Sequence, residues 1–121
     1  MKKEIGIITS IFRKESALKQ EFMAYKLGLT VNSYANIEKG RTDINTEKLI
    51  KISQIFNIKP YQILVLADEL LENNTTDWLP QVVRAIIRVA KRNYAIGNNL
   101  EDQFIISMDK SVRNASLKTR F

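Results

Sequence analysis

Cysteine and histidine are both absent from this chain of 121 residues. Their absence excludes disulfide staples, thiolate nucleophiles, zinc sites built on Cys or His, and any triad that needs an imidazole base. Carboxylates are not clustered in a cleft-like context either, so no catalytic set can be named. The expectation is a non-enzyme that needs no cofactor and no metal. No stretch approaches the ~18 consecutive apolar residues of a membrane span. The apolar run Ile5–Ile8 near the start is too short and too poorly bounded for a signal peptide. A cytoplasmic protein with no membrane partner is the expectation.

Glycine and proline are scarce, at four and two residues. Gly6, Gly28, Gly40, Gly97, Pro60 and Pro80 fall near breaks in hydrophobic periodicity and read as punctuation. Acidic residues are fewer than basic ones, 13 against 19, which gives a net charge of +6 and a pI near 9.7. That balance suits a polyanionic partner. Charge alone does not locate the binding part: residues 1–72 carry a net +2 and residues 73–121 a net +4.

Hydrophobic content of 45% supports a packed core, and the length fits one domain, or one small domain with an appendage. Between the breaks the apolar spacing is helical. It predicts helices over about 3–16 (Ile7, Ile8, Ile11, Phe12 inward), 20–27, 31–39 and 46–56 (Leu49, Ile52, Ser53, Phe56 inward). A fifth runs from Pro60 to about 72, with proline at the first position, where its missing N–H is no loss. Asn73–Thr76 is polar and aperiodic, a linker. Beyond it, 80–96 is the most amphipathic stretch, with Val83, Ile86, Ile87, Ala90 and Tyr94 on one face and Arg84, Arg88 and Lys91 opposite. A last helix is expected over 100–113 with Leu100, Phe104, Ile105, Met108 and Val112, although 104–108 alone fits a short strand equally well.

Residues 18–41 carry the functional reading. Ala24 is small enough for a second helix to cross closely, and Gly28 suits the left-handed turn after Leu27. Thr30 is a competent N-cap for the next helix. From that helix Val31, Asn32 and Asn36 project outward. Asparagine bonds bidentately to adenine, and a small apolar side chain packs on a thymine methyl. Gln20 and the N-terminus of the preceding helix point toward the same region, where backbone N–H groups favour phosphate. The default for an exposed asparagine or a basic pair is plain solvation, and only the whole register argues otherwise.

The register resembles the lambda-repressor-like, or Xre, family of helix-turn-helix regulators over about residues 4–66. It rests on Arg13, Gln20–Ala24, Gly28-Leu-Thr30, Ile37-Glu38-Lys-Gly40-Arg41, Leu49–Ile52 and Ile58–Leu64. The resemblance implies an all-α, five-helix DNA-binding domain, with Arg13 and Glu38 as a structural ion pair. It also implies phosphate contacts from Gln20, Ser33, Lys39 and Arg41, and base reading from Val31, Asn32 and Asn36, next to Thr30. Two positions depart from the family pattern: Lys19 stands where a Ser, Thr or Asn cap is usual, and Tyr34 where a Val or Ile is usual. Burial of the Tyr34 ring with its hydroxyl at the pocket edge is expected, because the ring's apolar area gains most there.

For the C-terminal part three readings compete: packing back on the domain, dimerisation, or lying on a membrane surface. Acidic residues flanking the 80–96 stretch disfavour the membrane. A five-helix unit closes its own core, so a surplus apolar face argues for dimerisation through Val83, Ile86, Ile87, Ala90, Tyr94, Phe104, Ile105 and Met108. The expected division is a DNA-binding domain at 1–72 and a helical oligomerisation region at 73–121. The expected function is a homodimeric transcriptional repressor on a palindromic site in double-stranded DNA. An antitoxin whose C-terminal region holds a protein partner, and an interaction module that no longer reads DNA, are the alternatives.

Overall fold

A computed structural model describes residues 1–92, all of whose regular elements are helical. The helices are α1 Lys2–Glu15, α2 Gln20–Leu27, α3 Val31–Glu38, α4 Thr46–Ile55, α5 Pro60–Asn73 and α6 over 79–92. The five helices expected up to about residue 72 agree with α1–α5 to within one residue at each end. The expected helix at 100–113, the open choice at 104–108, and Tyr94, Phe104, Ile105 and Met108 lie outside the described residues.

Local chemistry explains where the helices start and stop. Thr30 caps α3 as expected, its Oγ1 accepting from the Ser33 N–H at 3.1 Å. Asn45 does the same for α4, accepting from the Lys48 N–H at 2.8 Å. Lys19 gives α2 no side-chain cap bond. Gly28 ends α2 in the left-handed region (φ 68°), which lets the Leu29 N–H reach back to the Ala24 carbonyl at 2.9 Å. Pro60 opens α5, and the Gln62 side chain closes its first turn by accepting from the Lys59 N–H at 2.9 Å.

The core forms where α1 lies against α3 and α5 while α2 packs on α3 and α4. Ile8, Phe12, Met23, Tyr34, Ile52 and Ile63 have no measurable exposure. Phe12 and Phe56 stack with ring centroids 5.3 Å apart. The buried stripe of α1 is Ile5, Gly6, Ile8, Thr9 and Phe12, with Ile7 and Ile11 only half-buried, so it is rotated from the expected one. Thr9 is accommodated inside because its hydroxyl donates to the Ile5 carbonyl at 2.8 Å, and Ser53 does likewise to Leu49 at 2.8 Å.

Gly6 corrects the reading of glycines as punctuation. It sits inside α1, where a Cβ would lie 2.4 Å from the Ile37 carbonyl oxygen and 2.7 Å from that of Glu38. Its role is to let α1 press against the C-terminal end of α3.

A second correction concerns α6. Val83 and Ala90, expected on a free dimer face, are buried in the core of their own chain, together with Leu79. Ile86 and Ile87 are half-buried against the same core. Two polar bonds hold α6 to the end of α1 and to the α4–α5 turn. Arg84 Nη1 donates to Glu15 Oε1 at 3.0 Å, and Asn57 Nδ2 donates to the Ala90 carbonyl at 3.3 Å. Leu79→Ala is therefore expected to destabilise the chain by about 2–5 kcal/mol in denaturant unfolding. A change within about 0.5 kcal/mol would show that α6 adds nothing to the core.

Candidate nucleic-acid interface

Helix α3 has one face in the core and one in water. Tyr34 and Ile37 are buried, whereas Val31, Asn32 and Ser33 are exposed and Asn36 is half-buried beside them. Val31 keeps 40% of its surface exposed, an unforced position for an apolar side chain at the first turn of a helix. Lys39 and Arg41 follow at the C-terminal end, both exposed and neither in an ion pair among the described residues. The turn that carries them is closed by Gly40 (φ 72°), with the Arg41 N–H donating to the Asn36 carbonyl at 2.9 Å. Thr30, Val31, Asn32, Ser33 and Asn36 thus lie along one short helix, and the cations at its exit.

The helix is held at its far end by a saturated carboxylate. Arg13 Nε donates to Glu38 Oε2 at 2.6 Å and Arg13 Nη2 to Oε1 at 3.1 Å, the fork-on-fork geometry of a strong pair. The Tyr34 hydroxyl donates to Oε2 at 2.5 Å, and Gln20 Nε2 to Oε1 at 3.0 Å. Arg13 Nη1 reaches the Leu18 carbonyl at 3.0 Å. Side-chain exposure of Arg13 and Glu38 is 12% and 7%, so the pair is removed from most of the solvent.

The electrostatics follow from this packing. Burial pushes the Glu38 carboxyl up, but bonds from Arg13, Tyr34 and Gln20 outweigh it and hold the group below the usual carboxylate range. Burial first, and the Glu38 carboxylate second, push the Tyr34 phenol well above its ordinary value, so it stays a donor. The bond to Glu38 raises the already high Arg13 value. The network ties α1, α2 and α3 together through side chains alone.

Gln20 takes part in the Glu38 network as well. One N–H of the Gln20 amide, expected at phosphate, donates to Glu38. Its second N–H has no partner among the described residues and can still donate outward. A feature the sequence did not announce is a hollow of about 330 Å³ beside Ser33 and Asn36, bordered by Leu29, Ile37, Thr42, Asp43, Asn45 and Lys48.

Two helices at a glycine turn, the second capped, outward-facing and locked to the first helix of the domain, define a helix-turn-helix domain of the lambda-repressor-like architecture. Residues 12–69 match the family described as a helix-turn-helix domain. The chain is also similar to the HTH-type transcriptional regulator ImmR of Bacillus subtilis (strain 168), 29% identical over 79 residues. That alignment spans 65% of this chain and 61% of the relative, so the chain covers about three-fifths of the relative's length. No solved structure matches it. Among the described residues no helix is long and apolar enough to cross a membrane, and no group of side chains is arranged to hold a metal ion.

Proposed function

We propose that the chain is a sequence-specific DNA-binding transcriptional regulator, acting in the cytoplasm as a homodimeric repressor on a palindromic operator. The observation that supports this most directly is α3 itself. Its inner face is fixed by Tyr34, Ile37 and the Arg13–Glu38 pair, while Val31, Asn32 and Ser33 stand exposed at its N-terminal half. Similarity to a protein named as a transcriptional regulator supports the same reading. Asn32 and Asn36 bond base edges, Val31 packs on a thymine methyl, and Ser33, Lys39 and Arg41 hold phosphates.

One such module buries little DNA surface and binds weakly. Two modules joined through the C-terminal region, 73–121, would address half-sites about 34 Å apart on one face of the duplex. With Val83 and Ala90 taken up by the monomer core, the half-buried Ile86 and Ile87 and the exposed Val89 remain available on α6 to that contact.

Fluorescence anisotropy with a duplex from the gene's own upstream region and a random duplex tests the reading. Asn32→Ala and Asn36→Ala are each expected to weaken specific binding by about 1–3 kcal/mol and leave random-sequence binding unchanged. Equal losses on both duplexes would remove them as base readers.

A further inference from the structure

Among the described residues, nothing covers the outer face of α5. Tyr61, Leu64, Val65, Asp68, Leu71 and Glu72 fall within one side of the helix, opposite the buried Ile63, Leu66, Ala67 and Leu70. Tyr61 is 63% exposed, Val65 54% and Leu71 53%, a row of bulky apolar groups rather than a scattering. The same helix carries Asp68, Glu69 and Glu72 and no basic residue. These carboxylates stand in its C-terminal half, where the helix dipole disfavours negative charge. The stripe is therefore both apolar and acidic, at a local electrostatic cost that a cationic partner would relieve.

The complementary surface is on this chain. Between α2 and α4 lies a groove of about 510 Å³ lined by Phe22, Lys26, Lys51, Gln54 and Ile55. Phe22 and Ile55 give it apolar wall and Lys26 and Lys51 line it with positive charge, Lys51 in an exposed pair with Glu47 at 3.3 Å and the Lys26 ammonium 5.6 Å from the centre of the Phe22 ring. Tyr25 on α2 and Ile50 on α4 are also exposed apolar residues, at 81% and 41%. None of the residues assigned to DNA lines the groove.

We propose that the α5 stripe of one copy docks in the α2–α4 groove of a second copy. The apolar side chains supply the buried area, and Asp68 and Glu72 meet Lys26 and Lys51. A symmetric α5-to-α5 contact is disfavoured because it brings two acidic stripes together. A stripe meeting a different surface makes a head-to-tail contact, which leaves a free stripe at one end and a free groove at the other. Assembly therefore continues past two copies, and neighbouring regulators gain affinity along DNA without changing which bases they read.

Sedimentation of the full chain at low salt, over a range of concentrations, tests this. The wild-type protein is expected to form species larger than a dimer. Lys26→Glu/Lys51→Glu and, separately, Asp68→Lys/Glu72→Lys should each weaken that association by about tenfold or more. Mixing the two variants should restore it, because each then offers the other a complementary pair of surfaces. All four positions are exposed, and circular dichroism verifies that both variants stay folded. A wild-type chain that never exceeds a dimer overturns the proposal, as does association insensitive to the groove substitutions or a mixture that fails to assemble. DNA affinity of an isolated half-site is a separate readout, so failure here leaves the DNA-binding reading to stand or fall by itself.

Discussion

Glu38→Ala is expected to lower the unfolding free energy by about 3–5 kcal/mol, among the largest effects of any single substitution in the chain. The carboxylate has four donors, two from Arg13 and one each from Tyr34 and Gln20. Removing it leaves a guanidinium 12% exposed without its counter-charge, and strands a phenol and an amide at the same place. The loss is a penalty for unpaired groups more than a measure of the pair's net value. Arg13→Met together with Glu38→Leu should therefore recover much of what Glu38→Ala loses. Chemical denaturation of the single and double variants checks both statements. Near-equal stability of wild type and Glu38→Ala would mean that the network is solvated and weak.

The same carboxylate sets an acid limb. Its folded-state value is depressed relative to the unfolded chain, so its contribution is fully present above the unfolded carboxylate value. That contribution is lost as pH falls through the lower, folded one. Stability of the wild-type chain should fall in that acidic window, and Glu38→Gln should flatten the fall while lowering stability at neutral pH. An unchanged acid limb in Glu38→Gln would assign the pH dependence to other groups.

Gly6→Ala is the second large effect, expected at about 3 kcal/mol or more, the upper end for an overpacked core. An added methyl meets the carbonyl oxygens of Ile37 and Glu38 at 2.4 and 2.7 Å, and these are backbone atoms within the last turn of α3. Relief requires α1 and α3 to separate, which also strains the Arg13–Glu38 bonds that join them. Gly28→Ala offers the contrast. Nothing lies within 4 Å of its Cβ position, and only the left-handed φ opposes it, a cost of about 1–2 kcal/mol. Thermal unfolding of the two variants should rank Gly6→Ala well below Gly28→Ala. The reverse order would refute the close approach of α1 to α3.

The helical order of residues 1–73 was legible because local signals agree with the tertiary ones. Apolar spacing, Thr30, Gly28 and Pro60 each mark a boundary that packing leaves in place. Tyr34 was legible too, since ring burial with the hydroxyl at an edge follows from its chemistry, and Glu38 supplies that edge. What escaped were relations between distant elements. Gly6 looks like a helix break in sequence, and only the crossing of α3 shows why a side chain is forbidden there. Gln20 has the residue type of a phosphate contact, and only the packing shows that one of its two N–H groups also bonds the Glu38 oxygen. The amphipathic pattern of α6 correctly announced a buried face. It carried no information on whether the covering surface belongs to the same chain or another, and Leu79, Val83 and Ala90 answer for the former.

The central claim is that the exposed half of α3 reads bases. Selection of bound sites from a pool of random duplexes, performed with the wild-type chain and with Asn32→Ala/Asn36→Ala, tests it most directly. The account predicts that the wild type enriches a defined half-site repeated at a spacing of about one helical turn, and that the variant retains salt-sensitive binding but loses that enrichment. Recovery of the same site by the variant, or enrichment of none by the wild type, would contradict it.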